Sequence, residues 1–383
     1  MALTKNFGFG ENEEMVRDQA RRFLKEMFGI ERLRKLVAAD HESAYEMAVQ
    51  PAPWDEALWQ QMVDLGWTGL GVPEDAGGVG MPLIAVATLA EEAGRVALVG
   101  PLTATLIATQ VLRAAGATAW LERVAAGESM TLATTGPSGS WASEDTEVEA
   151  TADGDGFTLT GTAAFVQDAR KTGLHLVSAR APGGVGLFVV PAGTAGVSLT
   201  PDRIVDLTRD QATLAFDGVH VGSDAVVAAP GRGAAALDEA MPAILTIVAA
   251  DLCGAAEWQL QTTAEYAKTR VQFDRPIGFF QAVKHPIVNM MMAVDRARSL
   301  MYAAACAIDN EPHDAPRLAL MAKAAASDAA AFCSDRSVQL HGGIGFTWEC
   351  DVHLYFKRQK HNELLYGSSA EQRAKLAELL AAA

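Results

Sequence analysis

The chain has 383 residues, half of them apolar and one fifth charged, which calls for two or three folding units built as a globular protein. Lys and Arg total 31 against 47 Asp and Glu, a net charge of −16. That field repels phosphate backbones and anionic lipid headgroups, so it argues against nucleic-acid or membrane-surface binding and leaves room only for a local basic site.

Residues 1–17 carry Glu11, Glu13 and Glu14 and no apolar stretch, so no signal peptide is expected. The apolar run 241–250 stops at Asp251, short of the roughly 20 residues that span a bilayer. Cys253, Cys306, Cys333 and Cys350 lie far apart with no CxxC pair. They read as reduced thiols of a cytoplasmic protein, and neither a disulfide framework nor a metal site is expected.

In chain order, helical spacing predicts helices over 15–28 and 55–65. An apolar passage follows at 67–72, then a Gly-rich loop at 73–80, and further helices over 83–93 and 104–114. From about 130 to 227 short Thr-, Val- and Phe-rich segments alternate with turn residues. Strands are predicted at 147–152, 157–161, 174–179, 186–190 and 212–216, a β-sandwich or barrel. Asp153-Gly154-Asp155-Gly156 lacks the later ligands of a calcium loop and reads as a hairpin turn. Helices return at 236–268, interrupted or capped along its length, at 286–308 with Pro286 near its start, and at 318–341, stopped by Gly342 and Gly343. The fold class is α+β multidomain: an N-terminal all-α domain (1–125), a middle β-domain (126–230) and a C-terminal helical bundle (231–383).

Two motifs can carry chemistry. In Gln339-Leu340-His341-Gly342-Gly343-Ile344-Gly345-Phe346, three glycines in four residues stop a helix and also let backbone approach a ligand. They follow a helix and not a strand, which removes the dinucleotide-fold reading. The second is RVQFDRPIGFFQ, Arg270 to Gln281, with Lys284 and His285 beyond it. It is either a polar interhelical loop or a place where a guanidinium forks onto a pyrophosphate and aromatic rings cover a flat ligand.

Together these motifs resemble the acyl-CoA dehydrogenase family. The resemblance extends over nearly the whole chain, through LGWTGLGVPEDAGGVG at 65–80, the β-region, the 270–285 connection and QLHGGIGF with the following TWECDVHLY. It implies a tetramer of protomers ending in a four-helix bundle, with FAD held between the β-domain and the C-terminal helices. It assigns Arg270, Gln272, Phe273, Phe280 and Gln281 to the FAD pyrophosphate and adenosine region. Gln339, Leu340, Gly342 and Gly343 would line the diphosphate from a neighbouring subunit. Thr134 and Thr135 would bond the flavin edge, Phe165 would cover its ring, Gln167 would bond it, and Ser368 would touch FAD. Asp274 stands where glycine is usual, and Asp tolerates a left-handed backbone better than most residues.

The implied reaction is α,β-dehydrogenation of an acyl-CoA thioester: a carboxylate takes the α-proton while the β-hydride goes to flavin N5. Electron-transfer flavoprotein is the implied acceptor, and fatty acid or steroid side-chain oxidation the implied setting. At the family's usual base position this chain has Tyr366, and at the alternative position Ile244, followed by Leu245. Neither Tyr366 nor Ile244 accepts a proton at neutral pH. Three readings follow: an active enzyme with a relocated carboxylate, Asp251 or Glu363; a base-deficient FAD-binding subunit of a heterotetramer; or a flavin-binding protein without turnover. Small residues near the acyl-facing helices, Ala85, Ala87, Thr103 and Thr105, permit a bulky acyl chain.

Overall fold

The structure is a computed structural model, and it describes residues 7–37 and 54–382. Helix α1 (Glu11–Met27) opens with Glu11, Glu13 and Glu14 against the positive end of its dipole, and the Glu13 carboxylate accepts from the Gly10 amide at 2.9 Å. Helix α2 (Ile30–Val37) follows, and α3 (Glu56–Asp64) is capped by Asp55, whose side chain accepts from Leu58 N. The Gly-rich passage makes a short 3-10 turn, Glu74–Ala76, closed by Gly77 at φ 75°. Helices α4 (Leu83–Arg95) and α5 (Leu102–Ala115) are buried along almost their full lengths, and α6 (Thr118–Ala125) leads into the sheet.

Eight strands follow: β1 (Met130–Ala133), β2 (Val148–Asp153), β3 (Gly156–Gln167), β4 (Leu174–Ala181), β5 (Gly184–Pro191), β6 (Val197–Pro201), β7 (Gln211–Val221) and β8 (Val226–Ala228). They join into one mixed sheet in the order β6-β7-β3-β2-β4-β5-β8, with β1 parallel to β4. The expected middle β-domain is one continuous mixed sheet. The turn at 154–155 joins the β2–β3 hairpin, with Asp153 opposite Gly156. A bulge between Ala163 and Val166 breaks the β3–β7 register, and there Ala164 bridges Thr135 instead.

The C-terminal region holds α7 (Gly233–Thr269), a two-residue-strand hairpin β9 (Val271–Gln272) and β10 (Arg275–Pro276), α8 (Gln281–Asn310), α9 (Ala315–His341), α10 (Val352–Leu364) and α11 (Ser369–Ala382). The interruption expected in 236–268 does not occur. Pro242 lies inside α7, yet the helix runs unbroken for 37 residues, roughly 55 Å. Loss of one backbone donor at proline is outweighed by burial: 83% of its most apolar window is covered by the rest of the chain, as in a core helix.

Helix α7 crosses α4 at backbone contact. A methyl group on Gly94 would sit 2.2 Å from the Asp251 carbonyl oxygen, and one on Gly254 would sit 1.9 Å from that of Glu91. Only glycine permits this approach, and it brings Asp251 up against the loop that joins α4 to α5.

Candidate active site

The cavity at the junction of the three regions is lined by Thr103, Ala104 and Ile107 of α5, Thr131 and Leu132 of β1, and Gln167 and Asp168 at the end of β3. Arg209, Val248 of α7, Asn362 of α10, and Leu365 and Tyr366 in the turn after it complete the wall. Of the acyl-facing residues expected from sequence, Thr103 lines this cavity. Ala85 and Ala87 are buried in the core, and the Thr105 hydroxyl accepts from the Met130 amide at 3.2 Å.

Tyr366 occupies a left-handed backbone conformation (φ 57°), 7% exposed, its ring centroid 4.8 Å from that of Trp141. A non-glycine residue there is strained, and the neighbours hold it in place. Gln372 Nε2 donates to the Tyr366 carbonyl at 2.8 Å, and Lys323 Nζ donates to the carbonyls of Glu363 and Gly367 at 3.0 and 3.1 Å. Burial pushes the Tyr366 phenol above its ordinary value, further from use as a base. Ile244 is fully buried on α7.

The relocated-carboxylate candidates are corrected by their surroundings. Asp251 is fully buried and saturated. Its Oδ1 accepts from Arg358 Nε at 3.1 Å and Asn362 Nδ2 at 2.7 Å, and its Oδ2 accepts from Arg209 Nη2 and Arg358 Nη2, both at 2.7 Å. Burial raises this carboxyl, but the two guanidiniums outweigh it and hold the pKa below the usual range, so Asp251 is a buried counter-ion. Glu363 is partly exposed, accepts from Lys360 Nζ at 3.0 Å, and is not among the residues lining the cavity. The carboxylate that does line it is Asp168, paired with Lys171 Nζ at 3.0 Å.

The flavin residues expected from sequence fall into two groups. Phe165 lies in the β3 bulge at φ 58°, an aromatic ring 36% exposed, beside the Thr135–Ala164 bridge. Strain and exposure together suit a ring that waits for a planar partner. Thr134 and Thr135 stand next to it on the continuation of β1. The Gln167 amide is engaged within the chain. It donates to Phe165 O at 3.0 Å and Gln211 Oε1 at 2.8 Å, and its oxygen accepts from His361 Nε2 at 2.7 Å. Ser368 is also engaged within the chain. Its amide and hydroxyl both donate to Glu371 Oε2, at 2.6 and 2.7 Å, a capping box at the start of α11.

The second group is on the far end of the bundle. Phe273 and Asp274, at φ 53° and 58°, are the two central residues of the β9–β10 turn, where both positions need a left-handed backbone. Phe273 is pushed into solvent at 84% exposure, edge-on to Phe280 with centroids 6.0 Å apart. Arg270, Gln272 and Gln281 are exposed around it. The end of α9 lies alongside: His341 stacks on Tyr266 at 4.3 Å, and Gln339, Gly342 and Gly343 face outward. Gly342 has φ 68°, and a methyl on it or on Gly343 would meet nothing within 4 Å, leaving backbone open to a ligand. Leu340 is half-buried behind them.

From Val248, on the cavity wall, to Arg270 is 22 residues of continuous α7 and its cap, about 33 Å. The residues fit FAD as two groups: a ring-covering group at Phe165 and Thr135, and a diphosphate-binding group at Arg270 and Gly342. Sequence reasoning missed Trp141, Asp168, Arg209 and Arg358. Arg209 meets Asp251 across 42 residues of sequence, a separation that no local pattern signals.

Comparison with known proteins agrees with this architecture. The acyl-CoA dehydrogenase N-terminal domain model matches residues 10–128, and the C-terminal domain model matches residues 231–381. Acyl-CoA dehydrogenase IpdE2 of Mycobacterium tuberculosis is 30% identical over 364 residues, covering 94% of this chain and 95% of the relative. A variant of the Tcur3481–Tcur3483 steroid ACAD superposes with TM-score 0.84 at 30% identity, over 97% of this chain and 98% of that one. The ChsE4–ChsE5 complex from Mycobacterium tuberculosis contains a chain similar at TM-score 0.86 and 26% identity, over 100% of this chain and 99% of that one. With both terminal domains matched and a relative aligned almost end to end, the chain belongs to the acyl-CoA dehydrogenase family.

Proposed function

We propose that this protein works in FAD-dependent α,β-dehydrogenation of an acyl-CoA thioester as the subunit that lacks the proton acceptor, assembled with a related subunit that carries one. The observation behind this reading is Tyr366: a buried phenol of raised pKa fills the cavity wall at the position where the family has its carboxylate. When bound, FAD supplies the hydride acceptor. The chain's own residues do the rest of what it can do. Phe165 and Thr135 present the face and edge of the ring-binding half. The apolar wall of Ala104, Ile107, Leu132 and Val248 excludes water from the acyl group. Arg270, Gln281 and the Gly342–Gly343 backbone hold the diphosphate of a neighbour's cofactor.

Similarity to two heteromeric assemblies, one titled a steroid ACAD, supports a mixed oligomer and a bulky acyl group. Exposed Val271, Phe273, Phe279, Met291, Met292 and Phe346 surround the diphosphate-binding half and supply apolar area for that contact. We infer a tetramer that passes electrons to electron-transfer flavoprotein, in a reducing cytoplasm that suits four free cysteines.

The test is turnover with a ferricenium acceptor and a panel of acyl-CoAs. The chain alone should be inactive, its co-expressed assembly with a Glu-bearing relative active, and Tyr366→Glu should confer turnover on the chain alone. Ordinary turnover by the unmodified chain alone would sink the reading.

A further inference from the structure

One polar group in the cavity has no task in the reaction described. Arg209 is 9% exposed and lines the wall beside Tyr366. Its Nη2 donates to Asp251 Oδ2 at 2.7 Å and its Nε to Asn362 Oδ1 at 3.3 Å, whereas Nη1 has no hydrogen-bond partner among the described residues. A planar guanidinium held at two corners has its third fixed in place as well, so the remaining N–H donors are pre-oriented. Asp168, ion-paired with Lys171 Nζ at 3.0 Å, faces the same space. Its Oδ2 is buried without a hydrogen-bond partner.

Resting on the acyl-CoA reading above, we propose that the cavity selects acyl groups bearing an oxygen acceptor, a ketone or carboxylate, held by the Nη1 side of Arg209. The opposite wall, Ala104, Ile107 and Leu132, is apolar, so a hydrocarbon chain gains its burial there but strands the guanidinium donors. An oxygen at that point satisfies them. A site built around a polar partner rejects the ligand lacking it more strongly than an apolar site rejects an added oxygen.

The test uses the FAD-loaded assembly and isothermal titration with two matched series. Hexanoyl-CoA and octanoyl-CoA are compared with adipoyl-CoA, suberyl-CoA and the corresponding terminal methyl-ketone thioesters. We expect at least one oxygenated class to bind about tenfold tighter than its alkyl counterpart, the two classes separating charge recognition from simple acceptance. Arg209→Met should erase that margin. Equal affinity of all series in the unmodified protein overturns the inference, and so does a margin that survives in Arg209→Met. Because Arg209→Met also disturbs Asp251, the unmodified comparison decides by itself if that variant does not fold. No binding by any thioester overturns the acyl-CoA reading and this inference with it.

Discussion

Gly254 on α7 lies so close to Glu91 on α4 that an added methyl would stand 1.9 Å from the Glu91 carbonyl oxygen. Neither backbone can yield, because the same crossing seats the Glu91 side chain, whose Oε1 accepts from Arg298 Nε and whose Oε2 accepts from the Tyr302 hydroxyl, each at 2.7 Å. Gly254→Ala should therefore cost about 3 kcal/mol or prevent folding. Gly343→Ala, with nothing within 4 Å of its new methyl, should stay within about 0.5 kcal/mol. Urea midpoints of the two variants check this, and equal midpoints would refute the crossing.

Asp251 joins α7 to α10 through Arg358 and to the segment before β7 through Arg209. Asp251→Asn removes the charge and leaves two buried guanidiniums facing each other, a loss of about 3–5 kcal/mol. Thermal unfolding should show it as a clear drop in Tm, and a catalytic carboxylate with no structural part would leave Tm unmoved.

Acid should unfold this protein earlier than its carboxylates alone require. Burial pushes His353 and His361 down to about 4, and lowers His175 and His341 as well. Unfolded histidines titrate near 6.5, so between about 6.5 and 4 the unfolded chain binds more protons and stability falls with pH. Asp251, held low in the folded state, adds to the loss as pH falls below about 4 and through its folded value. A urea midpoint that declines from pH 7 to 4, with a shallower decline in His361→Gln, is the expected result; a flat profile would contradict it.

Phe273 carries strain that folding alone does not require. Asn tolerates φ near 53°, so Phe273→Asn should raise stability by up to about 1 kcal/mol while lowering the flavin retained by the assembly. Arg270→Ala, at an exposed position, should lower flavin content with no change in Tm. Flavin-to-protein absorbance ratios after gel filtration report both, and unchanged ratios would remove this loop from the cofactor site.

Local chemistry was readable where it acts locally. The Asp153–Gly156 hairpin, the Gly342 stop of α9 and the long C-terminal helices all come from turn residues and apolar spacing within a few positions. Short elements such as α2, α6, β6 and β8 escaped because they carry too few apolar repeats to declare a period. The interruption expected within 236–268 is absent, since the penalty of Pro242 is local and the burial that overrides it is not. At the site, Tyr366 stood out because family spacing located it. The partners of Asp251 and the unpaired edge of Arg209 arise only once β7, α7 and α10 are packed together. The bonds of Ser368 to Glu371 and of Gln167 to His361 likewise depend on how neighbouring elements pack.

The length of α7 separates two tasks along one rod. The end near Val248 lines the cavity beside Tyr366, and the end at Arg270, about 33 Å away, carries the exposed cationic turn. Damage at one end leaves the other serviceable. A chain that has lost its proton acceptor at the cavity therefore keeps the far tip of the same helix intact.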